Sequence, residues 1–176
     1  MSRTIEAESL ATVRELGIGV TAYGVLSRGL LSSTGLQPLG AWDGRTRFPR
    51  FQEENLRRNR ELVRALEVIE KEKGATTAQL AIAWVFYRGD DIIPLIGARN
   101  RQRLQESLSA LDLTLTEEKL ARIERAVPAE RIARTRYAGA QMSALDSERS
   151  SGGSDLVGAV IELEFGNLTN HWWARS

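Results

Sequence analysis

The chain has 176 residues, enough for one domain with a core of its own. Hydrophobic residues make up 42% and charged residues 27%, which excludes a chain too polar to fold, and the net charge of +1 supplies no overall field for nucleic acid or an anionic membrane. The absence of cysteine excludes disulfides, thiolate zinc sites and cysteine nucleophiles, and makes a reducing cytoplasm the expected compartment.

Residues 1–16 mix Arg and Glu, unlike a secretory leader, and no apolar run approaches the ~20 residues of a spanning helix. Glu6 to Leu16 is predicted as a short amphipathic helix, with Leu10, Val13 and Leu16 on one side and Gly17 as its stop. Ile18 to Tyr23 reads as a buried strand, β-branched and uncharged. Gly24 to Pro49 reads as a long loop, of the kind that is functional or disordered in compact domains. Glu53 to Lys73 is predicted as a helix with Leu56, Leu62, Val63, Leu66 and Ile69 at helical spacing, ended by Gly74.

Thr76-Thr77-Ala78-Gln79 is a capping box. The helix it opens carries Leu80, Ile82, Ala83, Trp84 and Phe86, apolar nearly all round and therefore expected to be deeply packed, and Asp90-Asp91 breaks it. Ile92 to Ile96 reads as a second buried strand, with Pro94 marking a strand beginning or a bulge. After the Gly97-Ala98 turn a basic helix runs from about Asn100 to Leu111. Thr116 caps a further helix with Glu117 and Glu118 in its first turn, and Pro128 marks its end. Strands alternating with helices indicate a parallel α/β sheet. Two strands cannot complete such a sheet, so the chain reads as a slice of a larger α/β structure.

Two segments carry candidate chemistry. Tyr23-Gly24-Val25-Leu26-Ser27-Arg28-Gly29 follows the first strand, where barrel and doubly wound enzymes place their sites. Its backbone N–H groups, Ser27 and Arg28 suit a diphosphate, and Tyr23 offers a flat face. The same residues also read as a loop-stabilising Gly/Ser segment with a core tyrosine. Gly97-Ala98-Arg99-Asn100-Arg101-Gln102-Arg103 joins the second strand to a helix N-terminus, a ready anion site. Arg99 and Arg103, spaced i, i+4, are expected on one helical face, where guanidinium forks match phosphate oxygens; a solvated basic face is the plainer reading. Two phosphate-ready strand ends together favour a dinucleotide.

Other candidates read as structural. His171 is a lone histidine beside Trp172-Trp173; Glu53-Glu54 opens a helix; Asp90-Asp91 makes a turn. Arg57-Arg58-Asn59-Arg60 reads as a helix face balanced by nearby Glu. No Ser-His-Asp set, Walker loop or zinc spacing is present.

Residues 6–31, 76–85 and 94–112 resemble, in order, the sixth helix and seventh strand with its loop, the seventh helix, and the eighth strand with the cofactor-gripping helix of the aldo-keto reductase family. The resemblance implies a partial (β/α)8 TIM barrel: about the last two βα units plus C-terminal helices over residues 1–149, followed by an atypical tail, 150–176. It implies NADPH as cofactor and a small carbonyl substrate, with no nucleic-acid or membrane partner. Tyr23 would stack on the nicotinamide. Gly24, Leu26 and Arg28 would surround the diphosphate, with Ser27 close by. Gly97, Ala98, Arg99 and Arg103 would hold the 2′-phosphate, and Glu106 and Ser107 would approach the adenine.

Gly24, Ala98 and Ser107 depart from the Ser, Thr or Ser, and Asn common in the family, at the expense of side-chain hydrogen bonds. The family's catalytic Tyr, Lys, Asp and His belong to the first half of the barrel. None is expected here, and Tyr23, Tyr87 and Tyr137 take no catalytic role. The tail joins a Ser/Gly-rich linker, 150–154, to a strand-like run, 160–165. Three readings follow: a truncated NADPH-dependent carbonyl reductase, inactive alone; a non-catalytic interaction module completed by a separate N-terminal barrel partner; or a decayed gene product. Uncovered strand edges and helix faces predict self-association and weak or no NADPH binding by the isolated chain.

Overall fold

The computed structural model describes residues 3–6 and 9–133. Tyr137, His171, Trp172-Trp173 and the whole 150–176 tail lie outside these residues. A 3₁₀ turn at Thr4–Glu6 precedes helix α1 (Ser9–Glu15). Gly17, at φ +67°, ends the helix as expected. Strand β1 is short (Val20–Ala22). The long connection after it is a loop punctuated by 3₁₀ turns at Ser27–Gly29, Gly44–Arg47 and Pro49–Phe51.

Helix α2 (Glu53–Lys73) has the bounds read from its periodicity, and Gly74 closes it in the left-handed conformation. Helix α3 (Thr77–Phe86) opens on the full capping box: the Thr76 hydroxyl accepts from Gln79 N (3.2 Å), and Gln79 Oε1 accepts from Thr76 N (2.8 Å). Strand β2 (Ile92–Pro94) pairs parallel with β1, Val20 opposite Ile92 and Ala22 opposite Pro94. Helix α4 (Arg101–Leu108) runs into a 3₁₀ turn at Ser109–Asp112. Helix α5 (Glu117–Ala126) is capped by Thr116. The described residues therefore form an α/β structure that is mostly helical, with one two-stranded parallel sheet.

The main core gathers Leu30, Leu31, Phe51, Val63, Leu66, Ile69, Leu80, Ala83 and Ile123, so it lies among α2, α3, α5 and the chain just after β1. A smaller cluster of Val25, Ile82 and Ala110, flanked by Leu26 and Ile96, sits under the ends of the two strands. Gly35 fixes the loop's path: a Cβ there would overlap the Leu30 carbonyl, with the carbonyl carbon 2.7 Å away.

Two expectations need correction. The strands are not buried on both faces. Residues alternate across a sheet, and the outward set is open: Tyr23 is 63% exposed, Ile93 60% and Leu95 61%. Only the set toward the helices is covered, with Ile92 buried and Val20, Ala22 and Ile96 half-buried. An apolar run signals burial of a strand without reporting whether a second layer is present. Helix α3 is packed nearly all round, as its composition predicts: Thr77, Ala78, Leu80, Ile82 and Ala83 are buried, and only Phe86, at its last position, is open, 48% exposed. Second, Arg57 to Arg60 is not one helix face balanced by Glu. Arg57 and Arg58 pair with Glu54 and Glu61, but Asn59 is fully buried and Arg60 donates to the carbonyls of Gly35 and Gln37.

Candidate functional site

Because β1 and β2 are parallel and in register, their C-terminal ends lie side by side. Leu95 N donates to Ala22 O at 2.9 Å, which carries the pairing to the last residue before Tyr23. The loops at 23–29 and 96–100 therefore leave from one edge of the sheet. Both candidate segments meet there, as expected for a site at the carboxyl ends of parallel strands.

The first loop is held in an unusual shape. Gly24 takes φ +70°, a left-handed value that suits glycine and would strain a residue with a side chain. Ser27 and Arg28 are left-handed as well, at φ 50° and 56°. Two consecutive non-glycine residues in this region cost roughly 1–2 kcal/mol each, so neighbouring contacts must enforce it.

Those contacts come from the 45–51 segment. Arg50 is buried and donates from Nη1 to Ser27 Oγ at 3.0 Å. The Arg28 guanidinium lies 3.9 Å from the centre of the Phe48 ring, a cation–π contact. Arg45 Nη1 reaches Arg28 O at 3.4 Å. Arg45 is itself fixed by Asp43, whose carboxyl is held down at about 2 by the Arg45 side chain first and the Arg45 backbone N–H second. Leu26 turns toward the Val25–Ile82 cluster, so it offers a ligand mainly its backbone. Tyr23 stays exposed at the strand end.

In the second loop, Gly97, Ala98 and Arg99 are exposed, and a Cβ at Gly97 would meet only open space. Asn100, extended at φ −148°, is the N-cap of α4, and its Oδ1 accepts from Arg103 N at 2.9 Å. Arg99 therefore precedes the helix, and only Arg103 stands on its first turn. This corrects the expectation of one helical face: Arg99 lies before the Asn100 cap, outside the helix that carries Arg103. The two guanidinium groups would have to converge from loop and helix. Among the described residues, Arg99, Arg101 and Arg103 form no salt bridge, whereas Arg14, Arg45, Arg57, Arg88 and Arg122 are paired with Asp or Glu.

Glu106 and Ser107 are placed by the fold. Glu106 Oε1 accepts from Thr76 Oγ1 at 2.8 Å, which ties α4 to the cap of α3, and Ser107 Oγ donates to Arg103 O at 2.8 Å. The Arg50–Ser27 and Asn59 contacts escaped sequence reasoning. Their only signal was a polar residue inside an apolar–basic segment.

Away from the strand ends, a depression of about 750 Å³ is lined by Arg3, Glu6, Glu124, Arg125 and Pro128. Three of its charges are committed: Arg3 pairs with Glu6 (2.7 Å), and the neighbouring Arg88 with Glu124 (2.9 Å) and Glu6 (3.2 Å). It reads as a structural ion cluster. No described helix is long and apolar enough to cross a membrane, and no three His, Asp or Glu of the described residues gather for a metal.

A Glycine max protein named probable aldo-keto reductase 1 is 37% identical over 137 residues, 77% of this chain and 40% of its own length. The solved glycerol dehydrogenase of Gluconobacter oxydans superposes with a TM-score of 0.65 at 26% identity, covering 76% of this chain and 41% of that one. The chain thus spans about two-fifths of the relatives it matches. The aldo/keto reductase family model matches residues 1–128, and the chain belongs to that family.

Proposed function

We propose that this chain is the C-terminal, cofactor-holding portion of an NADPH-dependent aldo-keto reductase barrel, whose family reaction reduces aldehydes or ketones to alcohols. The observation that carries the reading is the convergence of the 23–29 and 96–103 segments at one edge of the β1–β2 pair, with Arg99 and Arg103 outside every described salt bridge. The donor set fits the group: open glycine backbone, a pinned hydroxyl and basic forks match phosphate oxygens.

Tyr23 would lie against the nicotinamide. Gly24, Leu26 and Arg28 would enclose the diphosphate, Leu26 through its backbone, with Ser27 behind them. Gly97, Ala98, Arg99 and Arg103 would hold the 2′-phosphate, and Glu106 and Ser107 would border the adenine. When bound, NADPH supplies the hydride for the carbonyl carbon. This chain's residues bind and orient it; the proton donor and its partners belong to the half of the barrel that precedes these strands.

The open sheet face supports one addition: Tyr23, Ile93 and Leu95 are placed to meet further barrel strands, in the same polypeptide or in a separate N-terminal partner. The assignment of NADPH over NADH is tested by titrating the chain with each. NADPH should bind about tenfold or more tightly, and Arg103→Ala should erase most of the difference, because a charge-assisted guanidinium–phosphate contact contributes about 1.5–3 kcal/mol. Equal affinities for the two, unchanged by the substitution, would refute the 2′-phosphate site.

A further inference from the structure

We propose that Arg50 is a positioning residue for the cofactor's diphosphate, acting through Ser27; this rests on the cofactor reading above. Arg50 is only 7% exposed and Ser27 only 5%. Arg50 Nη1 donates to Ser27 Oγ at 3.0 Å, across 23 residues of sequence. With an oxygen lone pair engaged by a cation, the serine keeps its own proton to donate. The neighbouring positive charge polarises that O–H, so the hydroxyl is a donor suited to an anion.

The same contact holds the left-handed turn that aims the Gly24–Arg28 backbone. Arg50 is anchored in its turn. Asn59, fully buried on α2, donates from Nδ2 to Arg50 O at 3.1 Å. Asn59 also grips Ala133, donating to its carbonyl at 3.2 Å and accepting from its N–H at 2.9 Å. A line of contacts therefore runs from Ala133 through Asn59 and Arg50 to Ser27. Arg50 sits in the 45–51 segment, which supplies the Ser27 hydrogen bond, the Phe48 ring against Arg28 and the Arg45 contact to Arg28 O.

The test is a nitrogen-15 NMR titration of the full chain, suited to weak binding, with two probes. NADPH carries the diphosphate; adenosine 2′,5′-bisphosphate keeps the 2′-phosphate and one 5′-phosphate but lacks the second. Arg50→Met and Ser27→Ala should each weaken NADPH about tenfold, as expected for a charge-assisted hydrogen bond, while the bisphosphate changes less than about twofold. Arg50→Lys should recover part of the loss, and combining Arg50→Met with Ser27→Ala should cost little more than either alone.

Ser27→Ala removes one oxygen atom and keeps the test open if Arg50→Met fails to fold. A wild-type chain that binds both probes and a Ser27→Ala chain that binds NADPH equally well would overturn this inference alone. Equal weakening of both probes would overturn it too, by showing general loosening. A wild-type chain that binds neither probe even at millimolar concentration would show that these residues alone do not position the cofactor, and would overturn this inference.

Discussion

Replacing Asn59 by alanine should cost about 3 kcal/mol of stability. Its side chain is fully buried and makes three hydrogen bonds: to Arg50 O (3.1 Å), to Ala133 O (3.2 Å) and from Ala133 N (2.9 Å). Each bond between neutral groups is worth about 1 kcal/mol net, and losing one side of a pair adds the desolvation of whatever stays buried. Ala133 is half-buried and can recover water; Arg50 O is the group left worst off. Against a total of about 5–15 kcal/mol for an ordinary domain, the loss is large.

Urea unfolding followed by circular dichroism measures it, as a fall in midpoint at constant slope. An aspartate at the position separates the contributions. It keeps an acceptor for Ala133 N but loses both amide donors, so it should be destabilising at neutral pH and less so in acid, where the protonated carboxyl can donate. An Asn59→Ala midpoint within about 0.5 kcal/mol of wild type would show that these contacts bear no load.

Two more outcomes follow from surface features. Glu54 is held down at about 2 by Arg57 first and Arg58 second, against an ordinary value of 4.5. A depressed carboxyl stabilises the fold above its ordinary value and loses that contribution as the pH falls toward 2. Glu54→Gln should therefore shallow the acid limb of the stability curve between about pH 4.5 and 2, and the difference should fade in salt because the group is exposed. An acid limb of unchanged slope would refute the pairing. On the open sheet face, Ile93→Thr with Leu95→Gln should reduce self-association of the isolated chain in light scattering, since both side chains are about 60% exposed. If the face is already covered in solution, the double substitution should leave the apparent mass unchanged and lower stability instead.

Local signals in the sequence carried over well. The Thr76–Gln79 box, the Gly74 stop and the Thr116 cap each act within one helical turn, so their physics is complete in four or five residues. The two strands were visible as β-branched runs, but Ile93 and Leu95 look the same in sequence whether a second layer covers them or not. Arg99 shows how small the margin is. The i, i+4 spacing suggests one helical face, but the Asn100 cap leaves Arg99 outside the helix. The contacts that shape the first loop could not be read at all. Ser27 and Arg50 are 23 residues apart, and Asn59 and Ala133 are 74. No propensity reports such a meeting, and Asn59 lies in a run of arginines that reads as one face balanced by Glu.

This contrast bears on how the two halves of the site respond to change. The 96–103 segment is supported locally: Asn100 caps α4, and Glu106 ties it to Thr76 at the start of α3. Alterations in α2 or in the long loop leave those supports in place. The 23–29 segment stores left-handed strain at Ser27 and Arg28 and depends on residues 45–51, which in turn depend on Asn59. Damage to α2 should therefore reach the 23–29 loop before it reaches the basic loop. Under the proposed cofactor reading, a chain weakened there would keep the contacts proposed for the adenosine end and lose those proposed for the diphosphate.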